Sequence, residues 1–467
     1  MPESAPTCDV LVVGGGPAGA TTARLLSLWK RDVTLVVKAD AGEAALPESL
    51  TPSCRKFFDL MGISSEVDAA GFVRATGHTT WWGGQETSES FDGGRLGWQA
   101  TTADLSRVLV EAAAASGARV VRANLTATDV LAWPARFRVD ATGRTGVLAR
   151  PHGGRRYEPG HRTVALVGTW RRDGAWPVPD PTHTLLESYG DGWAWSVPLA
   201  DGSRALAVMV DPATTALTRG DGPRGVYLSE ITKTERFAAI FRGASLVSGP
   251  TGWDASMYLA DHLSGPDWLL AGDAGSFVDP LSSAGVRKAM VSGWQSAVVI
   301  NTVLDRPAMR DQAFSAFEQR ERTTYGRLLA LTRHFLARGG AIEQPFWGHR
   351  SSSDPPDDRE AVLSAFARIK AAPDLRLAVA PDVRIESRAS WRERNLVLEP
   401  QLVTPSTPDG VRFVGSVDLV PLVELAPHHG HVPELFDAYQ RRVGATDLRD
   451  FLTALSTAVA RGWLLSV

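Results

Sequence analysis

Cysteine is scarce in this sequence: its 467 residues hold two, Cys8 and Cys54. Two cysteines without metal-ligand spacing exclude a disulfide framework, and they fit a reducing, cytoplasmic setting. Long apolar runs are missing too. No stretch reaches the roughly 18 apolar residues that a bilayer span needs. The run Val10 to Val13 is too short for a secretory core and has no Lys or Arg before it. Charge of one sign is also lacking. With a formal net charge of −3, bulk electrostatics implies neither nucleic acid nor a membrane surface as a partner. The chain has no internal repeat and no second nucleotide-binding glycine loop.

What remains is an ordinary globular composition, 44% apolar and 22% charged, with 15 tryptophans. The length exceeds one hydrophobic core and implies two or three domains. Asp9 to Val13 carries the continuous apolar run Val10 to Val13, the pattern of a buried parallel strand. Pro17 to Lys30 carries a helical stripe at Ala20, Ala23, Leu26 and Leu28, and Val33 to Val37 is a second strand. Between strand and helix lies Gly14-Gly-Gly16-Pro17-Ala18-Gly19. Gly14 permits the tight turn, Gly16 lets a diphosphate approach the backbone, and Gly19 packs helix on strand. This context reads as dinucleotide binding. An acidic residue for the ribose is expected ~20 residues on. The second strand ends at apolar Val37, so Asp40 is either the substitute or a solvated loop aspartate.

Further along, residues 41–97 read as a sheet-rich insertion, Asp104 to Ser116 as a helix, and Ala118 to Arg122 and Phe137 to Ala141 as strands. Residues 163–170 and 185–211 alternate apolar and polar, as in an antiparallel sheet. Trp268 to Ala271 is a buried strand that delivers Gly272-Asp273 into a turn, ahead of a helix from about Gly285 to Leu304. Asp273 can accept ribityl hydroxyls there. The amides of Ser283, Ala284 and Gly285, after Pro280, point from a helix start toward an electron-rich ring. Residues 311–338 are helical, and 351–358 form a linker.

Four blocks together resemble the FAD-binding fold of aromatic hydroxylases and, more narrowly, its flavin-dependent halogenase branch: the glycine loop, Pro47-Glu48-Ser49-Leu50-Thr-Pro52, Asp140-Ala-Thr-Gly143 and the Gly272-Asp273 turn. The resemblance spans about residues 8–340. It implies an α/β fold, with a Rossmann-like FAD-binding domain at 1–45, 95–160 and 265–340. It also implies an inserted antiparallel β-sheet substrate domain at 46–94 and 161–264. A small, mainly helical module with a winged-helix-like layout follows at 359–467, outside the resemblance. The implied cofactor is reduced FAD, supplied by a separate reductase or reduced in place, with O2 as co-substrate. A fifth block, Gly192-Trp193-Ala-Trp195-Ser-Val-Pro198, resembles the family's Trp-x-Trp-x-Ile-Pro signature, which runs between flavin and substrate. Plain core packing is the alternative reading of those rings.

One departure decides the expected chemistry. Halogenases carry a lysine in a Gly-Phe-x-x-Lys-x-Gly segment, and the corresponding Gly71-Phe-Val-Arg74-Ala75-Thr-Gly77 has alanine there. The neighbouring Arg74 stays protonated and points to the other face of its strand. Oxygen insertion into an electron-rich indole or phenol, through a flavin C4a-hydroperoxide, is therefore expected ahead of halogenation. A non-catalytic flavin-binding, substrate-docking protein is a third reading. Glu48, His78 and Trp195 are the catalytic candidates, with Trp81, Trp82 and Trp193 lining the substrate. Relatives without the lysine include flavoproteins that hydroxylate protein-bound tryptophan, so the aromatic group is free or borne by a peptide or protein. Pro427 to His431 reads as a polar turn rather than a metal site.

Overall fold

The computed structural model describes residues 7–39, 46–215, 222–341, 343–348, 350, 358–371 and 374–467. Asp40 lies outside them. The chain divides into two compact units, Met1–Asp354 and Pro355–Val467.

In the first unit, five parallel strands stand in the order Trp268–Leu270, Ala135–Asp140, Cys8–Val13, Val33–Val37, Arg119–Arg122. Their apolar runs are covered on both faces, as parallel strands require: Val10, Leu11, Val12 and Leu35 are wholly buried. Burying each such side chain contributes on the order of 1.5–3 kcal/mol. The helix Pro17–Leu28 packs on the helix Gly285–Asp305 almost backbone to backbone. A Cβ on Gly293 would meet the carbonyl oxygen of Ala18 at 2.3 Å, and Thr22 Oγ1 donates to Gly293 O at 3.0 Å. Small residues at this contact bring the glycine loop up to the Gly272 turn, whose added Cβ would lie 2.9 Å from that of Ala18.

The second large sheet has seven strands, in the order Ser245–Asp254, Val164–Arg171, Arg204–Val210, Gly192–Pro198, Thr184–Tyr189, Gly77–Trp82, Gln85–Ser90. It is antiparallel except where Thr184–Tyr189 runs parallel to Gly77–Trp82. A three-stranded sheet of Pro47–Leu50, Gly97–Thr101 and Val73–Ala75 accompanies it. The insertion is less purely sheet than its sequence implies, because two short helices, Arg55–Met61 and Ser64–Ala69, lie in it. Phe58, Met61, Ile63 and Val67 bury their apolar side. Gly62, at φ 65°, ends the first of them and leaves each too short for helical periodicity to register.

The second unit has its own core, including Leu402, Leu419, Leu422, Phe451, Ala454 and Leu455. The helices Asp358–Ala371, Leu419–Leu425, Val432–Val443 and Leu448–Ala460 accompany an antiparallel meander of Arg384–Trp391, Leu396–Thr404 and Thr407–Val411. Leu464–Ser466 closes the chain as a strand antiparallel to Leu377–Val379. Among the described residues no helix is long and apolar enough to cross a membrane.

Candidate functional site

The glycine loop leaves the strand Cys8–Val13 and enters the helix Pro17–Leu28, with Gly16 at the helix cap. Its three motif glycines have different reasons to be glycine. A Cβ on Gly14, which sits at φ 113°, would come within 2.1 Å of Ala141 O; one on Gly19 would come within 1.9 Å of Gly14 O. Both are fixed by close packing. A Cβ on Gly16 would meet nothing within 4 Å, so there the missing side chain preserves open space in front of a helix start. No side chain caps that start, Pro17 fills its first position, and no acidic residue sits in its first turn. The result is a cradle that fits a diphosphate. Asp140 supports it from below: wholly buried, it accepts from Thr142 N–H and Oγ1 and from Leu148 N–H, tying the Ala141 turn against Gly14.

The second half of the site is the turn from Gly272 to Gly285. Gly272 lies at φ 64°, where glycine is favoured. Asp273 follows with a third of its side chain exposed. Asp279 is buried and caps the short helix Pro280–Ser282, its Oδ1 accepting from Leu281 N–H at 3.0 Å. Burial pushes its carboxyl up to about 6, against the pull of Leu281 N–H and Arg350. Ser283 takes the left-handed conformation at φ 46°, uncommon for a residue with a side chain. The helix then begins at Gly285, whose added Cβ would again meet open space.

The strand Pro47–Leu50 pairs with Gly97–Thr101 and carries Glu48 to this turn. Burial, and then the negative charge of Asp273, push the Glu48 carboxyl up to about 8. Ser49 turns to the large sheet, its hydroxyl 2.8 Å from that of Thr184. Trp193 and Trp195 project from one face of the strand Gly192–Pro198. They join an apolar cluster with Trp82, Trp347, Phe277 and Leu281. The ring of Trp82 meets Trp193 at 6.1 Å and Trp347 at 5.7 Å, both edge-on. Phe277 and Leu281 belong to the Gly272–Gly285 turn, so the two-tryptophan strand and the proposed flavin loop share one apolar cluster.

Two candidates fall elsewhere. Trp81 does not line this face: strand alternation turns it to the opposite side, against Phe237 at 6.3 Å and beneath the Arg236 guanidinium. His78 pairs with Glu89 on the edge hairpin, Nε2 to Oε2 3.5 Å. Arg74 is engaged with Asp68 and lies 4.7 Å over Trp98, while Ala75 is buried opposite Gly97. Two contributors escape sequence reading. Lys288 is buried on the first turn of Gly285–Asp305 and reaches toward Asp273. Its one sequence signal is a charge set among Val286, Ala289 and Met290. Trp347 has no local signal, since it reaches the tryptophan cluster from a distant part of the chain.

Comparison with known proteins follows from this geometry. A family model described as tryptophan halogenase matches residues 9–131 and 123–411. A tryptophan 2-halogenase of Chondromyces crocatus is 27% identical over 364 residues, covering 72% of this chain and 69% of that protein. The solved structure of CmlS, a flavin-dependent halogenase, superposes with TM-score 0.82 at 19% identity, covering 99% of this chain and 96% of that one. That of QhpG, a peptidyl tryptophan dihydroxylase, does so with TM-score 0.71 at 24% identity, over 98% of this chain and 100% of that one. At those identities both structures speak for the fold alone. The family match, running from residue 9 to 411, corrects the expectation of oxygen insertion. That expectation rested on the single position Ala75, and one substituted residue weighs less than a pattern carried through both sheets.

Proposed function

This chain belongs to the tryptophan halogenase family, and on that premise we propose that it halogenates an electron-rich aromatic group using reduced FAD, O2 and halide. It is an FAD-dependent oxidoreductase of this superfamily. The observation that carries the proposal is the apolar cluster that Trp193 and Trp195 share with Phe277 and Leu281, together with a glycine cradle left open at Gly16. When bound, the anionic reduced flavin would supply two electrons and one proton that, with O2, two further protons and a halide ion, turn an aromatic C–H into C–X and release two waters. The chain's own residues do the rest. Gly14, Gly16, Pro17, Ala18 and Gly19 hold the diphosphate, and Asp273 takes the ribityl hydroxyls. Pro280 and the amides of Ser283 to Gly285 bound the ring edge. Glu48, its carboxyl pushed up to about 8, would hold a proton near Asp273 as a general acid. Trp82, Trp193 and Trp195 shape an apolar wall that keeps water from the reacting ring.

Alanine at position 75 means that oxidised halide is delivered here without an ammonium at that place. The substrate ring is then an activated one, an indole or a phenol, free or carried by a peptide, and a partner reductase supplies the reduced flavin. The test is direct. Purified protein, a flavin reductase, O2 and saturating bromide are given to a panel of indoles, phenols and tryptophan-bearing peptides, with products read by mass spectrometry. The bromine isotope doublet in a product is the expected result. Turnover that yields only unhalogenated product at saturating bromide overturns the proposal.

A further inference from the structure

Lys288 is the one lysine of this site, and neither the glycine loop nor the tryptophan face accounts for it. Its side chain is 2% exposed. Its ammonium donates to Ser276 O at 2.5 Å and stands 3.4 Å from Asp273 Oδ1. Both contacts fall on the turn that follows the strand Trp268–Leu270. A second buried polar pair serves the same turn from the same helix: Ser292 Oγ accepts from Gly272 N–H at 2.8 Å. Across from them, the helix Arg310–Leu336 offers Glu321, 2% exposed, whose carboxyl is raised by burial and drawn back by the Lys288 charge and by a hydrogen bond to Ser292. Burying an ammonium and a carboxylate costs several kcal/mol per ion unless each is well paired. Apolar side chains would pack two helices without that penalty. Lys288 instead reaches Asp273 and Ser276, and Glu321 faces Lys288 and Ser292 behind them.

We propose that Lys288 is a positioning residue for the flavin. It fixes the Asp273 carboxylate toward the ribityl chain, and it places an ammonium behind the bound cofactor. This rests on the family's use of FAD and on Asp273 as the ribityl ligand, and not on which aromatic reaction follows. A neutral residue at 288 frees the Asp273 side chain to rotate and removes a charge that favours the anionic reduced ring.

The test uses the full chain. Lys288→Met, Lys288→Gln, Asp273→Asn and the double variant Lys288→Met/Asp273→Asn are titrated with FAD by fluorescence, and the midpoint potential of the bound flavin is measured for each. Lys288→Met is expected to weaken FAD binding at least tenfold and to move the potential in the negative direction, because loss of a nearby cation destabilises the reduced anion. Lys288→Gln keeps the Ser276 contact and the fold, so its melting temperature without FAD stays near wild type while its potential shifts. It carries the test if the methionine variant does not fold. In the Asp273→Asn background, Lys288→Met is expected to cost no further affinity. Wild-type affinity and potential in Lys288→Gln overturn the proposal. So does a full, additive loss in the double variant, since that marks Lys288 as packing alone. None of these readouts depends on a halogenated product.

Discussion

At the residue scale, the sharpest statement concerns Glu48. Its carboxyl is held neutral by burial and by Asp273 up to about pH 8, well above an ordinary glutamate. In the acid role proposed for it the protonated form works, so turnover is expected to be full below that pH and to fall as pH rises through about 8. Glu48→Gln removes this dependence together with most of the rate, on the order of a hundredfold for a lost acid, while FAD remains bound. A rate profile flat to pH 9.5 in the wild-type enzyme removes Glu48 from the mechanism. Among the tryptophans, neighbours in sequence differ in consequence. Trp195→Ala keeps FAD and loses turnover. Trp81→Ala, on the far face with Phe237, is expected to cost about 2–3 kcal/mol of stability. Its per-molecule turnover with bound FAD is expected to stay within about twofold of wild type. Urea melts and turnover of flavin-loaded protein separate the two. The same alternation was available from the Trp81-Trp82 order, but choosing which ring faces the site needed the sheet's partners.

At the element scale, the strand–turn–helix from Cys8 to Leu28 is nearly a local object. Its strand is apolar from Val10 to Val13, its helix opens on Pro17, and Gly14 and Gly19 fall where the backbone has no room for a Cβ. That is why its strands, its helix and the glycine spacing could all be read from the sequence. The same geometry divides the glycines by outcome. Gly16→Val leaves the apoprotein melting within about 2 °C of wild type, since its side chain enters open space, yet it abolishes flavin binding by filling the diphosphate position. Gly19→Ala forces a Cβ onto Gly14 O and costs about 1–3 kcal/mol or more, with or without FAD. Thermal melts in both states test the contrast; yellow Gly16→Val protein removes the diphosphate from this loop. The helices Arg55–Met61 and Ser64–Ala69 show the opposite case. Each spans about two turns or fewer, so its apolar spacing is indistinguishable from loop residues until Phe58 is seen stacked edge-on against Trp98, 5.3 Å away.

At the scale of the whole molecule, the chain holds two cores that share no residue: the sheet clusters of Met1–Asp354 and the helical cluster of Pro355–Val467. Calorimetry is expected to resolve two unfolding transitions. FAD at about a hundredfold its Kd raises only the one that includes the glycine loop, by about 2.7 kcal/mol. A single transition, or a shift of both, contradicts independent units. Ala75 is buried on the short strand Val73–Ala75, where it pairs with Gly97. Its significance for chemistry could not be weighed from one motif against the rest of the chain.

The sequence alone determined the parallel βαβ start, the second nucleotide block, the inserted antiparallel sheet and the cofactor class. The βαβ start and the second nucleotide block rest on period, glycine and capping chemistry within a few dozen residues; the sheet showed in its strand alternation although Thr184 pairs with His78, and the cofactor class came from the resemblance of four separate blocks. Only the tertiary structure decided which tryptophans share a cluster with the flavin loop, that Glu48 lies within the field of Asp273, and that Lys288 is buried beneath it. Those facts join residues from 15 to more than two hundred positions apart, and which of them meet is set by packing between elements. No local pattern encodes that.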